Sequence, residues 1–358
     1  MSPPDPLPPN LLSTAPLDLA RACSAEFGEA LANHAAMVLW AQRRLGGTDA
    51  DARRFLGAYL AANALRPLPA MDAPIEPDHW TARLGDRRAE AAYRAFFGAE
   101  LERLGSHDAL LNLYLPRLLP GLAASALHAL MRLAYALDAG DGPEVAESLG
   151  YWAATYLPLG EGIGAEPITD QPAAVLLRVA AEPALRGMVF DDGLLWHAMR
   201  RTAAMPDFAP VYNWLDVGRD TLRRLASDSL MVLAASTSPN AEFCALHAVT
   251  GTHWLRLVLP SLQPADKSRA IRFFWQAIAS AYPKMGCPAP MSPEEAGRQR
   301  RLPAPDWSGI AAAAVASNDE HDISLVYSAR AEEAVWGDAL YRVVAARRVG
   351  LLPPMHAA

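Results

Sequence analysis

Nine histidines are the residues of this 358-residue chain whose types and spacing could do chemistry. Conventional motifs do not frame them: there is no HExxH, no GxSxG, no EF-hand loop and no dinucleotide fingerprint. No two histidines stand at i, i+4, and His247 and His253, at i, i+6, point to different helix faces. Cys244 and His247 share a face at i, i+3, which alone is weak grounds for a metal. His79, His107 and His356 lie in polar or terminal contexts, while His197 and His253 have Trp neighbours and read as partly buried core or surface residues. Four remain. His34 is flanked by Phe27, Leu31, Val38 and Ala41; on a helical wheel Glu26 and Glu29 fall about 80° and 140° from its face. His128 opens an apolar segment, with Met131, Arg132 and Tyr135 on its side and Ala126, Leu130, Leu133 and Leu137 on the other. His247 shares a face with Phe243, Thr250, Gly251 and Trp254. His321 follows Ser317-x-x-Glu320, the spacing of a capping box.

Taken singly, each of the four reads as a core histidine bonded to a carbonyl or carboxylate. Helix bundles also build metal sites from inward-facing ligands on several separate helices. Imidazole suits Fe, Zn, Cu and Ni, so the set does not identify a metal. Both readings stand at this point.

The elements that must position these residues read as helices. From Leu17 onward the chain is rich in Ala and Leu at helical spacing, as in Tyr93, Phe96, Phe97, Leu101 and Leu104, and no comparable stretch alternates with period two. The expected fold is all-α: a multi-helix bundle of consecutive helical hairpins around a central buried helix, the one that begins at His128. Residues 1–16 hold six prolines and read as a disordered arm; 17–350 read as a single domain, with possible lobes meeting near 157–172. A second Pro-rich stretch, 283–305, reads as a long surface connector or a lid. Gly160-x-Gly162-x-Gly164 lacks the spacing and the following helix of a phosphate loop. Ala126-Leu127-His128-Ala129 echoes in Ala245-Leu246-His247-Ala248, but a repeat array needs three or more units.

Composition narrows the function classes. A net charge of −7 argues against nucleic acid. No uncharged stretch reaches the roughly 18–20 residues of a spanning helix. Three cysteines without CxxC spacing exclude a disulfide framework, and no signal peptide is visible, so a cytoplasmic location is expected. Only two lysines stand among 32 basic residues, and neither follows a Gly-rich loop.

Four segments then resemble the questin oxidase-like family: Asn33-His34 before LWAQRRLGG; His128-Ala-Leu-Met-Arg-Leu-Ala-Tyr-Ala-Leu leading to Gly150-Tyr151-Trp152; His247-Ala-Val-Thr-Gly-Thr-His253 leading to Leu259-Pro260; and Asp319-Glu320-His321-Asp322-Ile323. Trp80 and Leu84-Gly85 also fit, and the likeness runs from about Glu26 to Arg348. The resemblance implies an α-helical oxidoreductase of secondary metabolism that uses dioxygen and NADPH. Its relatives open a ring of anthraquinone-like polyketides in Baeyer–Villiger fashion, part of the family at a non-haem iron. It carries the metal-ligand role onto His34, His128, His247 and His321. On this reading Glu320 is a candidate to orient an imidazole or to cap its helix, and Arg132 and Tyr135 contact substrate, with Tyr135 a proton donor. Met131 and Trp254 supply an apolar wall. Neither flavin nor haem is signalled.

The chain departs from the family at Ala35, Ala36 and Met37, where relatives often carry further histidines, and at Ser324, where a lysine is common. These departures keep a rival open: a non-catalytic helical protein that binds a hydrophobic ligand or a partner helix in the same cavity.

Overall fold

The computed structural model describes residues 16–162, 166–191 and 193–353. The Pro-rich residues 1–15, Gly164 of the first break and His356 lie outside that set. Among the described residues the sheet content is one two-stranded hairpin, β1 (Glu26–Phe27) with β2 (Leu31–Ala32), and the remaining regular structure is helical. The fold is all-α, as the periodicity predicts.

Four helices carry the four histidines. They are α1 (Ala35–Arg44), α2 (His128–Ala139), α4 (Pro239–Val258) and α5 (Glu320–Trp336), with α3 (Gly142–Ala154) packed outside α2. Helix α1 packs on α2 and α5, and α4 also packs on α2 and α5, so the four close a ring. Helix α2 is buried at every position from His128 to Ala136, as expected of a central helix. Two glycines sit at tight contacts around this ring. A Cβ on Gly251 of α4 would stand 2.7 Å from the Phe274 ring and 3.3 Å from Leu127. A Cβ on Gly150 of α3 would meet the Arg94 backbone nitrogen at 2.9 Å.

Local geometry differs from the sequence reading in four places. The segment before His34 is the β-hairpin and not a helix, so the wheel that set Glu26 and Glu29 apart from His34 does not apply. Gly28 (φ 55°) and Ala30 (φ 70°) turn the chain there. Ala126 belongs to no packing face of α2, because Ser125, Ala126 and Leu127 are left-handed and the helix starts only at His128. The cap of α5 is Asp319, whose side chain accepts from the His321 backbone N–H; neither Ser317 nor Glu320 forms the expected box. The Pro-rich stretch 283–305 contains a helix, Pro293–Arg300, capped by Ser292.

Candidate functional site: a ring of four imidazoles

His34, His128, His247 and His321 stand as an open square. Ring centroids are 4.5 Å apart for His34–His128, 5.3 Å for His128–His247, 6.1 Å for His247–His321 and 5.2 Å for His321–His34. Each ring spends its Nδ1 on an acceptor. His34 donates to the Ala32 carbonyl at 3.0 Å, His128 to the Ser125 carbonyl at 2.5 Å and His247 to the Phe243 carbonyl at 2.8 Å. His321 donates to the Asp319 carboxylate at 3.1 Å. A carbonyl or carboxylate can only accept, so all four rings carry a proton on Nδ1, and a ring that is neutral keeps its lone pair on Nε2. Imidazoles fixed in this tautomer are ready metal ligands. Among the described residues the one group of three or more ligand-type residues whose donor atoms all lie within 4.8 Å of one another is Asp319, Glu320 and His321 on one rim of the square; no three of the four imidazoles stand that close.

The backbone leading into each ring explains its placement. Three consecutive non-glycine residues in the left-handed region, Ser125 (φ 46°), Ala126 (φ 54°) and Leu127 (φ 73°), cost about 1–2 kcal/mol each. This turn aims the Ser125 carbonyl at the imidazole three residues later. The Ser125 hydroxyl donates to Glu26 at 2.5 Å, and Glu26 accepts from Arg87 at 2.6 Å. The hairpin therefore serves two rings: β2 supplies the Ala32 carbonyl to His34, and β1 supplies Glu26 to the His128 turn. Burial pushes the Glu26 carboxyl up against the pull of Arg87.

Electrostatics favour neutral imidazoles. Burial, then the neighbouring imidazoles, holds His34 well below its ordinary value, and His247 behaves alike for the same causes. Burial lowers His128 to about 4, against the raising effect of its bond to Ser125. The rim is acidic. Glu320 Oε1 lies 3.9 Å from His34 Nδ1 and 3.8 Å from His321 Nδ1, between the two rings. Asp319 is partly buried, yet its bonds to His321 and the nearby Arg348 guanidinium bring it to about 2.

The other expected site residues divide. The Trp254 ring lies 6.5 Å from His128, and Tyr135 meets it edge-on at 6.4 Å. Tyr135 is wholly buried, and its hydroxyl lies 3.4 Å from Ser324 Oγ. Met131 is buried in α2. Arg132 turns to α3 and gives its Nε–H to Glu144 at 2.7 Å in a buried ion pair.

Two features escape the sequence reading. Phe243 is 37% exposed, and its ring lies 5.1 Å from His247 and 5.0 Å from His321, an apolar lip at the solvent side of the square. His253, expected to be partly buried, is 1% exposed and donates from Nδ1 to the wholly buried Glu332 at 3.0 Å. Arg256 and Trp336 complete that carboxylate's bonds. Phe243 was visible as an i, i+4 neighbour of His247; nothing in the local sequence links His253 to Glu332.

The family model described as Questin oxidase-like matches residues 31–329, a span that holds all four imidazoles. No curated protein matches the chain.

Proposed function

From the premise that the chain belongs to the questin oxidase-like family, we propose that it is an oxygen-dependent oxidoreductase that oxidises or cleaves a ring of a bulky aromatic, polyketide-like substrate at the imidazole square. The observation that carries this reading is the shared tautomer: four separate acceptors leave four Nε2 lone pairs on rings from four helices. Such a donor set suits iron, zinc, copper or nickel. Iron is the choice because dioxygen needs a redox partner, which an iron ion held by His34, His128, His247 and His321 would supply.

The chain's own residues have separate tasks in this reaction. The Nδ1 acceptors hold the rings in register, and the lowered basicity of His34, His128 and His247 keeps those three lone pairs unprotonated at neutral pH. The Phe243 ring offers an apolar surface to a flat aromatic substrate at the rim. Trp254 closes the inner wall and excludes water. Glu320, within 3.9 Å of the Nδ1 atoms of both His34 and His321, is the rim carboxylate placed to move a proton there. NADPH is the electron source in this scheme: substrate, dioxygen, NADPH and a proton give an oxygen-inserted product, NADP and water.

Anaerobic reconstitution with Fe(II) tests the reading. One equivalent of iron is expected to remain after desalting, and His128→Ala or His247→Ala should abolish its retention. A folded parent that retains no stoichiometric metal would sink the proposal.

A further inference from the structure

A file of oxidisable side chains runs from the imidazole square to the surface. Trp254 stands 6.5 Å from His128, Tyr135 6.4 Å from Trp254, and Tyr327 5.3 Å from Tyr135. The Tyr327 hydroxyl donates to Asp138 Oδ2, and the Trp40 indole donates to the same oxygen at 2.9 Å. Trp254, Tyr135 and Tyr327 are buried, whereas Trp40 is partly exposed and lines an open groove of about 500 Å³.

The cluster of Trp80, Tyr93, Phe96, Phe97 and Tyr114 also holds a Trp–Tyr contact, at 5.2 Å, but its ring contacts close on themselves and on phenylalanine instead of running from the square. A benzene ring does not give up an electron at the potentials that oxidise indole or phenol. The file from His128 to Trp40 contains only Trp and Tyr. It also has a proton acceptor where one is needed, because a phenol yields its electron readily only if its proton can leave. The Arg44 guanidinium lies 3.4 Å from the same Asp138 oxygen.

We propose that Trp254, Tyr135, Tyr327 and Trp40 form a relay that carries a surplus oxidising equivalent from the imidazole square to the protein surface. The relay rests on the redox reading of the square. Indole and phenol are oxidised only by strong oxidants, so the relay drains such equivalents outward and is no path for electrons from NADPH. When Tyr327 gives an electron inward, its O–H proton passes to Asp138 Oδ2, leaving a neutral phenoxyl radical and a carboxylic acid. An electron from Trp40 refills Tyr327 and the proton returns. A one-electron donor of the thiol or ascorbate class then reduces Trp40 and is itself oxidised by one electron. No atom is transferred, and the sum is one electron from donor to oxidant.

The test uses the full-length, metal-free protein with photogenerated ruthenium(III) tris(bipyridine) as the oxidant, read by freeze-quench EPR and transient absorption. The parent should give a neutral tyrosyl signal. Tyr327→Phe should lose it, Trp40→Phe should slow its appearance, and Asp138→Asn should replace it with an indole radical. Tyr114→Phe, in the phenylalanine-rich cluster, should leave it unchanged. A tyrosyl signal of parental yield and rate in both Tyr327→Phe and Trp40→Phe would overturn the relay. Tyr327→Phe differs by one oxygen and keeps the test decisive if Asp138→Asn does not fold. Iron retention measured on the same preparations separates the two ideas: loss of retention with the radical pattern intact sinks only the iron site, and the converse sinks only the relay.

Discussion

A buried imidazole that stays neutral makes stability depend on pH, and the sign can be worked through for His128. Above about pH 6.5 neither the folded nor the unfolded chain carries a proton there. As the pH falls, the unfolded chain takes up a proton first, because folding depresses the value to about 4. Stability is therefore expected to fall between these limits by about 3 kcal/mol for this ring alone and then level off. Urea titrations of the metal-free protein from pH 7 to pH 4 should show that loss, and His128→Gln should shrink it. Glu332 is a second residue with a specific expectation. It is wholly buried and holds His253, Arg256 and Trp336. Glu332→Gln should cost about 1–3 kcal/mol, since it leaves buried hydrogen-bond donors of His253 and Trp336 short of an acceptor, and a lowered urea midpoint with a normal m-value would report it. His128 and His247 were legible because each stands in an apolar helical context, whereas His34 follows a hairpin and His321 stands among Asp319, Glu320 and Asp322. Glu332 was not legible, because a glutamate in Ala-Glu-Glu-Ala-Val-Trp looks like a solvated face and its partner is distant in the chain.

At the level of elements, the left-handed turn before α2 is the departure with the clearest energetic signature. In a regular helix, replacing Ala by Gly costs about 1 kcal/mol. At Ala126 (φ 54°) the sign should invert or vanish, because glycine removes the left-handed penalty of about 1–2 kcal/mol while adding freedom to the unfolded chain. Ala126→Gly is thus expected to leave the urea midpoint unchanged or raise it; a loss near 1 kcal/mol would mean the turn is not strained. Helical periodicity reads the long elements well, and the Tyr93–Leu104 stripe falls within a helix, Glu90–Leu104. It fails at short ones. Four residues of strand and three left-handed residues carry no periodic signal, and Ala-Ser-Ala-Leu has no glycine to announce a turn. Helix Pro293–Arg300 was hidden by its flanking prolines, although Ser292 followed by Pro293 is a sound helix start.

On the scale of the whole molecule, the closed ring of four helices is what brings His34 and His321 together from opposite ends of the chain. That closure is a packing result, and no local pattern encodes it. The all-α class follows from composition and periodicity, but which helices touch follows from small residues at the crossings. Gly251 is such a residue: a methyl there would press on Phe274 and Leu127. Gly251→Ala should cost about 1–3 kcal/mol by overpacking, and it should weaken iron retention as well, because Leu127 ends the turn that aims His128. Stability loss with full retention would show the ring and the site to be independent. No helix among the described residues is long and apolar enough to cross a membrane.

The Nδ1 acceptors have an evolutionary consequence. Three of the four imidazoles are oriented by main-chain carbonyls, those of Ala32, Ser125 and Phe243. A point substitution deletes side chains and leaves carbonyls in place, so these three orientations are sheltered from most mutational drift. Only His321 depends on a replaceable group, the Asp319 carboxylate. Heritable tuning of the square should accumulate on that one rim, where the acidic residues and the exposed Phe243 already gather.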